Sequence, residues 1–509
     1  MSHTNKTPKT AADLKELLAD DHCVKVAGID IDGVLRGKVL DKSKFLSTLE
    51  DGFGFCSVVF GWDMHDLCYN HPTAIAESGY ADFVAKPDIS TMRRIPWEEN
   101  KTPLFLLDFY DPASNGQKRL SVCPRGLLKT VVEKFEERGI EAMCGLEYEF
   151  FNFAETPSSL AEKQGHDIKQ LTPGMFGYSM LRPALNQQFF DGIYSNCRAI
   201  GAHIEGLHTE TGPGVYEAAL KYTNALEMAD RAQLFKLTAK QVGLKNGVIA
   251  SFMAKPNEKL PGCSGHIHFS LRDIQSKANL FVPASATAGG RTRLDSAIGS
   301  SDGGNGGMMA KLNDTDAAAA AAAAATAAAE HSSVMSPSMQ SFVAGILQGL
   351  PSIQPLLAPN VNSYKRLVEG YWAPVNVNWG IEQRTAAVRI IVPPVCSPEA
   401  TRVEVRVPGS DINPHLAIAA ILGCGLRGIE LGLELPAAVG TAAYNADTVP
   451  KLAKNLLDAT ECMLESGSIA RQVLGDAFVD HYGATRKHEW GLWSRAVTNW
   501  EISRYLEIS

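Results

Sequence analysis

No two of the ten cysteines form a C-x-x-C pair; they are scattered at positions 23, 56, 68, 123, 144, 197, 263, 396, 424 and 462. That scatter argues against a zinc ribbon or a disulfide framework and points to reduced thiols of an intracellular protein. Apolar runs are short: none reaches the roughly 20 residues of a membrane span. The N-terminal MSHTNKTPKTAADLKELLADD has no apolar stretch of signal-peptide length, so a cytoplasmic location without membrane contact is expected. Positive charge is in deficit, with 48 Lys and Arg against 56 Asp and Glu and a formal net charge of −8. No basic patch stands out, and nucleic acid is not expected as a partner.

What is present is a 509-residue chain with 45% hydrophobic and 20% charged residues, ordinary for a globular protein. That length has room for two to four domains at about 100–200 residues each. Residues 1–19 read as a polar tail and a short helix over 11–19. Val24–Ile31 and Val34–Leu40 alternate as strands around the turn signal Asp32-Gly33, and a small β-rich domain is expected over 20–116, ending in the turn-rich Asp111-Pro-Ala-Ser-Asn-Gly116. Within it, Gly33-Val-Leu-Arg-Gly-Lys38 lacks the spacer and Ser/Thr of a phosphate loop.

The remainder, 117–509, reads as one larger domain. An amphipathic helix over 125–139 precedes Cys144-Gly-Leu-Glu-Tyr-Glu-Phe-Phe-Asn-Phe153, a run that predicts a buried strand. Alternation puts Glu147 and Glu149 on one face and Leu146, Tyr148 and Phe150 on the other. Neighbouring carboxylates on one face either bracket a cation, most simply a divalent metal, or lie on a solvated surface. Further on, the turn in Glu210-Thr-Gly-Pro-Gly-Val-Tyr-Glu217 lets Glu210 and Glu217 approach one point, and a long helix is predicted over 218–242. Gly265-His-Ile-His268 places His266 and His268 on one strand face, where each is either a ligand or a satisfied structural residue. Residues 283–336 shift to Gly, Ser and Ala, including an alanine run at 317–325, and read as an insertion without chemistry. Helices are predicted over 339–350, 412–433 and 450–466. Arg384, Arg389, Arg402 and Arg406 sit among valines and isoleucines, with Glu404 and Arg406 on one strand face. Arginines so placed suit either surface ion pairs or bidentate contact with phosphate or carboxylate. A carboxylate-rich site with an imidazole suits Mg²⁺ or Mn²⁺ better than zinc, and metals with arginines suit phosphoryl transfer.

GLEYEFF, ETGPGVYE, FMAKP with SGHIHFS, NSYKRLVxGY, QRTAAVRI and RVEVRVPGSDINPHLA occur in this order, and on them the chain resembles the glutamine synthetases of the type I branch. The resemblance implies an α+β architecture: a β-grasp N-terminal domain, then a catalytic domain with a curved antiparallel sheet flanked by helices, assembled as homo-oligomeric stacked rings. It implies an ATP-dependent ligase that activates the glutamate γ-carboxylate as γ-glutamyl phosphate for interception by an amine. Carried over residue by residue, Glu149, Glu210 and Glu217 match the ligands of one metal, and Glu147, His266 and Glu404 those of a second. Arg366, Arg406, Gly262 and Trp372 fall at substrate positions. Arg384 and Arg389, with Arg366, fall at catalytic ones, and Ser270, Arg402 and Arg389 at the nucleotide. There are departures: the flap glutamate of G-Y-E-A-P is Trp372, the ammonium-site aspartate falls at Phe55 or Cys56, a nucleotide-site lysine is Glu399, N-R-S is Gln383-Arg384-Thr385, and no adenylylation loop is recognisable. Asp63 or Asp66 is a candidate replacement for the lost acid. The altered ammonium half favours an organic amine over ammonium as acceptor, while glutamine synthesis from ammonium, or a structural relative without catalysis, are the alternatives.

Overall fold

A computed structural model describes residues 8–69, 74–283, 334–438 and 449–508. The N-terminal region forms a five-stranded sheet of β1 (Cys23–Ile29), β2 (Leu35–Asp41), β3 (Phe53–Cys56), β4 (Asp82–Arg94) and β5 (Pro103–Tyr110), in the order β2-β1-β5-β4-β3. The central β1–β5 pair is parallel and the others antiparallel, the mixed pattern of a β-grasp unit. Asp32-Gly33 makes the β1–β2 turn, with Gly33 at φ 78°, where a side chain would be strained.

An eight-stranded sheet follows: β6 (Ile140–Phe153), β7 (Ile204–Thr209), β8 (Val215–Asn224), β9 (Ile249–Ser251), β10 (Gly265–Asp273), β11 (Trp379–Ile381), β12 (Val388–Ile391) and β13 (Arg402–Val405). Its order is β11-β12-β13-β10-β6-β8-β7, with β9 also on β6, and only β11–β12 is parallel. Register shifts between Cys144 and Leu146 against β8, and between Ile204 and Gly206, are bulges that curve the sheet around its polar face. The other face is apolar: Tyr148 stacks on Phe235 with centroids 5.9 Å apart, and Phe150 on Phe252 at 5.2 Å. The long helices Ala225–Lys245, Pro337–Leu357 and Pro414–Glu430 cover that side with buried residues along most of their length.

Three expectations are corrected. Residues 218–224 are strand, not helix: Tyr216, Ala218 and Leu220 point inward at period two, and the helix begins only at Ala225, where the Asn224 side chain accepts from the Glu227 N–H at 3.0 Å. Short apolar residues such as Ala and Leu satisfy both periods, which is why the sequence is ambiguous there. The helix expected to stop near Leu350 runs to Leu357 through Pro351 and Pro355, because its burial among apolar neighbours outweighs the backbone hydrogen bonds those prolines remove. Most of the 283–336 insertion lies outside the described residues, but its last residues belong to the fold: Met335 is fully buried, and Ser336 donates to Leu280 O at 2.6 Å and caps the helix from Pro337.

A buried ion network ties the N-terminal sheet to the helices behind the second sheet. Arg125, on the helix Pro124–Glu136, bonds Asp108 of β5 at 2.7 Å and Asp230 of the helix Ala225–Lys245 at 2.9 Å, and His415 Nε2 lies 2.8 Å from Asp230. Burial pushes the Asp230 carboxyl up, but Arg125 and His415 more than offset this and hold it below the usual aspartate range. Its contribution to stability is therefore full above the unfolded aspartate pKa of about 3.9 and is lost as the pH falls from there. Removing Arg125 leaves buried Asp230 with His415 alone and Asp108 with Lys129 alone, so Arg125→Met is expected to cost about 3–5 kcal/mol in urea or thermal unfolding at pH 7. A loss under about 1 kcal/mol would show that the network is solvated.

Candidate active site

The polar face of the second sheet gathers its charged residues by register. Glu147 on β6 stands opposite His266 on β10, Glu149 opposite Glu217 on β8, and Glu404 on β13 between His268 on β10 and Arg389 on β12. Glu147, His266 and Glu404 bring ligand atoms within 4.8 Å of one another, with His266 Nδ1 3.3 Å from Glu404 Oε1 and 3.8 Å from Glu147 Oε2. A second group of His208, Glu210 and Glu217 meets the same limit.

The first group is rich in cations. Glu404 is buried, bonded to Arg389 at 2.9 Å and also to Arg406. Burial raises its carboxyl, but His266, His268 and Arg406 bring it down to about 2. Glu147 is likewise raised by burial and lowered further by His268, whose Nε2 is 3.2 Å from Glu147 Oε1. Burial, and then Arg406, hold His266 below its ordinary value, so the ring is neutral at pH 7 with a nitrogen free to coordinate. The second group is short of cations: burial, and then the charges of Glu149, Glu147 and Glu210, push Glu217 up to about 9. Two carboxylates with a neutral imidazole, and an acid that cannot ionise without a partner, form donor sets that fit divalent metals.

Arg366 is buried and donates to Val407 O at 2.9 Å and Arg406 O at 3.0 Å. A Cβ at Gly262 would meet Ala254 O at 2.6 Å and Arg366 Cγ at 2.8 Å, so only glycine lets the Arg366 stem pass there. Arg384 is exposed, and its charge acts on the Tyr178 phenol together with Glu210 and Glu217. Arg389 also pairs with Glu382. A cavity of about 430 Å³ at the other end is lined by Cys144, Glu147, Tyr222, His268, Ser270 and Arg402. Trp372 is 69% exposed on a loop and holds φ 60°, a strained conformation for a bulky residue. Asp63 accepts from the His65 and Leu67 N–H groups and Asp66 pairs with Arg36, so within this chain both acids are engaged locally. Glu149 is not among the three converging groups, His208, Glu210 and Glu217; its Oε2 accepts from the Ser264 N–H at 2.7 Å. The sequence reasoning missed His208, although its spacing from Glu210 is the same i, i+2 signal that singled out Glu147 and Glu149.

Comparison with known proteins matches the catalytic-domain model of glutamine synthetase over residues 121–314 and 317–505. The chain belongs to the glutamine synthetase family. Among its relatives, type-1 glutamine synthetase 2 of Dictyostelium discoideum is 42% identical over 95% of this chain and 84% of its own length. Glutamate–isopropylamine ligase of a Pseudomonas species is 31% identical over 95% of both chains. Gamma-glutamylethanolamide synthetase GlnA4 of Streptomyces coelicolor is 30% identical over 98% of this chain and 96% of its own. A solved structure titled GmaS/ADP complex shares the fold with a TM-score of 0.75 at 24% identity, covering 98% of this chain and all of that one. As a member of this family of ATP-dependent carbon–nitrogen ligases, the chain carries acidic and histidine clusters suited to the divalent metals that the family uses. Among the described residues no helix is long and apolar enough to cross a membrane.

With Glu217 at about 9 in the metal-free chain, a metal entering its cluster at pH 7 must displace a proton. Titration calorimetry with Mn²⁺ in buffers of different ionisation enthalpy is expected to find about one proton released per chain, with affinity rising as the pH climbs toward 9. Binding heats independent of buffer would contradict this.

Proposed function

We propose that this chain is a cytoplasmic ligase joining the γ-carboxylate of glutamate to an organic amine at the expense of ATP, in an assembly of stacked rings. The observation that carries the proposal is the convergence at one sheet face of two donor sets that could hold metals, with Arg389 and Arg406 beside the first and the buried Arg366 bonded to the Arg406 carbonyl. Bound divalent metals would supply positive charge against which glutamate and the nucleotide phosphates, both anions, can approach. Glu147, His266 and Glu404 would hold the ion at the phosphates, and Glu210 and Glu217, with Glu149 beside them, the ion at the acceptor carboxylate.

Arg366 and Arg406 are suited to orient glutamate, because their guanidinium groups are fixed by carbonyls and by Glu404. Arg389 and the exposed Arg384 would stabilise charge on the phosphoryl group as it moves from ADP to the γ-carboxylate oxygen. Ser270 and Arg402, at the 430 Å³ cavity, would meet the nucleotide. The amine nitrogen then attacks the acyl carbon, phosphate leaves with the carboxylate oxygen, and the nitrogen gives up a proton.

Trp372 favours an organic amine as acceptor. Ammonium is small and strongly hydrated, and a site for it needs carboxylates to replace water. An exposed indole in place of a flap glutamate offers an apolar and π surface instead, and its strained backbone is the kind of feature that collects at functional sites. Two relatives act on amines, isopropylamine and an ethanolamine-derived product by their names, while the more similar Dictyostelium protein bears the name of a glutamine synthetase.

Glutamate-dependent phosphate release is to be measured with ammonium and with a panel of alkyl and aryl amines, and products identified by mass spectrometry. An amine is expected to be used in preference to ammonium. Trp372→Ala should raise the KM for that amine about tenfold, the worth of one aromatic contact to a cation, with a smaller effect on the KM for glutamate. Efficient glutamine formation from ammonium, with every amine refused, would overturn the acceptor assignment.

A further inference from the structure

We infer that the glutamate-side metal site is a mixed nitrogen and oxygen site in which His208 Nε2 is a ligand beside Glu210 and Glu217. This rests on the two-metal reading above and deepens it. His208 sits at the end of β7 in register with Glu217, and its Nε2 is 3.4 Å from Glu217 Oε2. Its Nδ1 is 3.0 Å from Thr209 O. A carbonyl only accepts, so the proton is on Nδ1 and the lone pair of Nε2 is turned to the carboxylates. Fixing one ring nitrogen on a backbone carbonyl while the other faces a cluster of acids is how metal-binding histidines are oriented.

The ring plane is held as well. Tyr178 stacks on it with centroids 4.4 Å apart and planes 25° apart. Tyr178 is in turn pinned by its N–H to Thr209 O at 2.7 Å, and the next residue by Ser179 N–H to Thr209 Oγ1 at 2.9 Å. His208 Nε2 and Glu217 Oε2, 3.4 Å apart, are spaced close to the roughly 3 Å edge of an octahedron with metal–ligand bonds near 2.1 Å, so both atoms can reach one ion. Glu149 meanwhile spends one oxygen on the Ser264 N–H. Replacing one oxygen donor by imidazole shifts the site from Mg²⁺ toward Mn²⁺ and other later first-row ions.

The test uses the full chain loaded with Mn²⁺ alone, with stoichiometry and affinity from titration and nitrogen coupling from electron spin echo spectroscopy, in wild type and His208→Gln. Two Mn²⁺ per chain are expected in the wild type. His208→Gln should weaken one of them at least about tenfold, remove one imidazole coupling, and reduce Mg²⁺ affinity less. If the variant does not fold, His208→Asn serves in its place, with folding checked by circular dichroism. A variant that keeps both ions, their affinities and every nitrogen coupling overturns the His208 assignment while leaving two metals. A wild type that binds only one Mn²⁺ per chain overturns the two-metal reading and this inference with it.

Discussion

Glu147, Glu149, Glu217 and Glu404 share one face of one sheet, with Glu210 just past the end of β7 beside them, and their mutual repulsion is the constraint that the rest of the site answers. Like charges brought together in a half-buried site cannot all ionise unless cations join them. At one end the chain supplies its own: Arg389 and Arg406 bond Glu404 directly, and that carboxyl stays ionised although it is buried. At the other end it does not, and burial with the charges of Glu149, Glu147 and Glu210 pushes the Glu217 carboxyl up. The same face is thus neutralised by the chain's own cations at one end and not at the other.

Holding such a face together requires a scaffold that does not yield. The apolar side of β6, with Tyr148 and Phe150 packed on Phe235 and Phe252, anchors the strand from behind. Bulges in the β6–β8 and β7–β8 ladders bend the sheet so that β7 brings His208 and Glu210 round to Glu217. The Arg125 network and the bond from Asn413 to Asp30 O at 2.9 Å tie the N-terminal sheet to the helices behind the site.

Much of this was legible in the sequence because strands write their faces at period two. The pairs Glu147 and Glu149, His266 and His268, and Glu404 and Arg406 each fall on one face, as alternation requires. What alternation does not encode is which strands become neighbours: Glu404 meets His266 across a register set by residues more than a hundred positions apart, and only the family motifs linked the two beforehand. Residues 218–224 read as helix in the sequence because alanine and leucine fit helix and strand alike, and the helix through Pro351 and Pro355 runs past its expected end because burial outweighs local propensity. His208 has no second cue in the sequence, since its hydrogen bond to Thr209 O and its stacking partner Tyr178 are properties of the folded chain.

The central claim, that two separate donor sets on this face each hold a divalent ion, is tested most directly by anomalous diffraction from crystals of the full chain grown with Mn²⁺ and a non-hydrolysable ATP analogue. Two manganese peaks are predicted, one among Glu147, His266 and Glu404 and one beside Glu210 and Glu217. A single peak, or manganese at neither cluster in crystals of protein that turns over, would contradict the account.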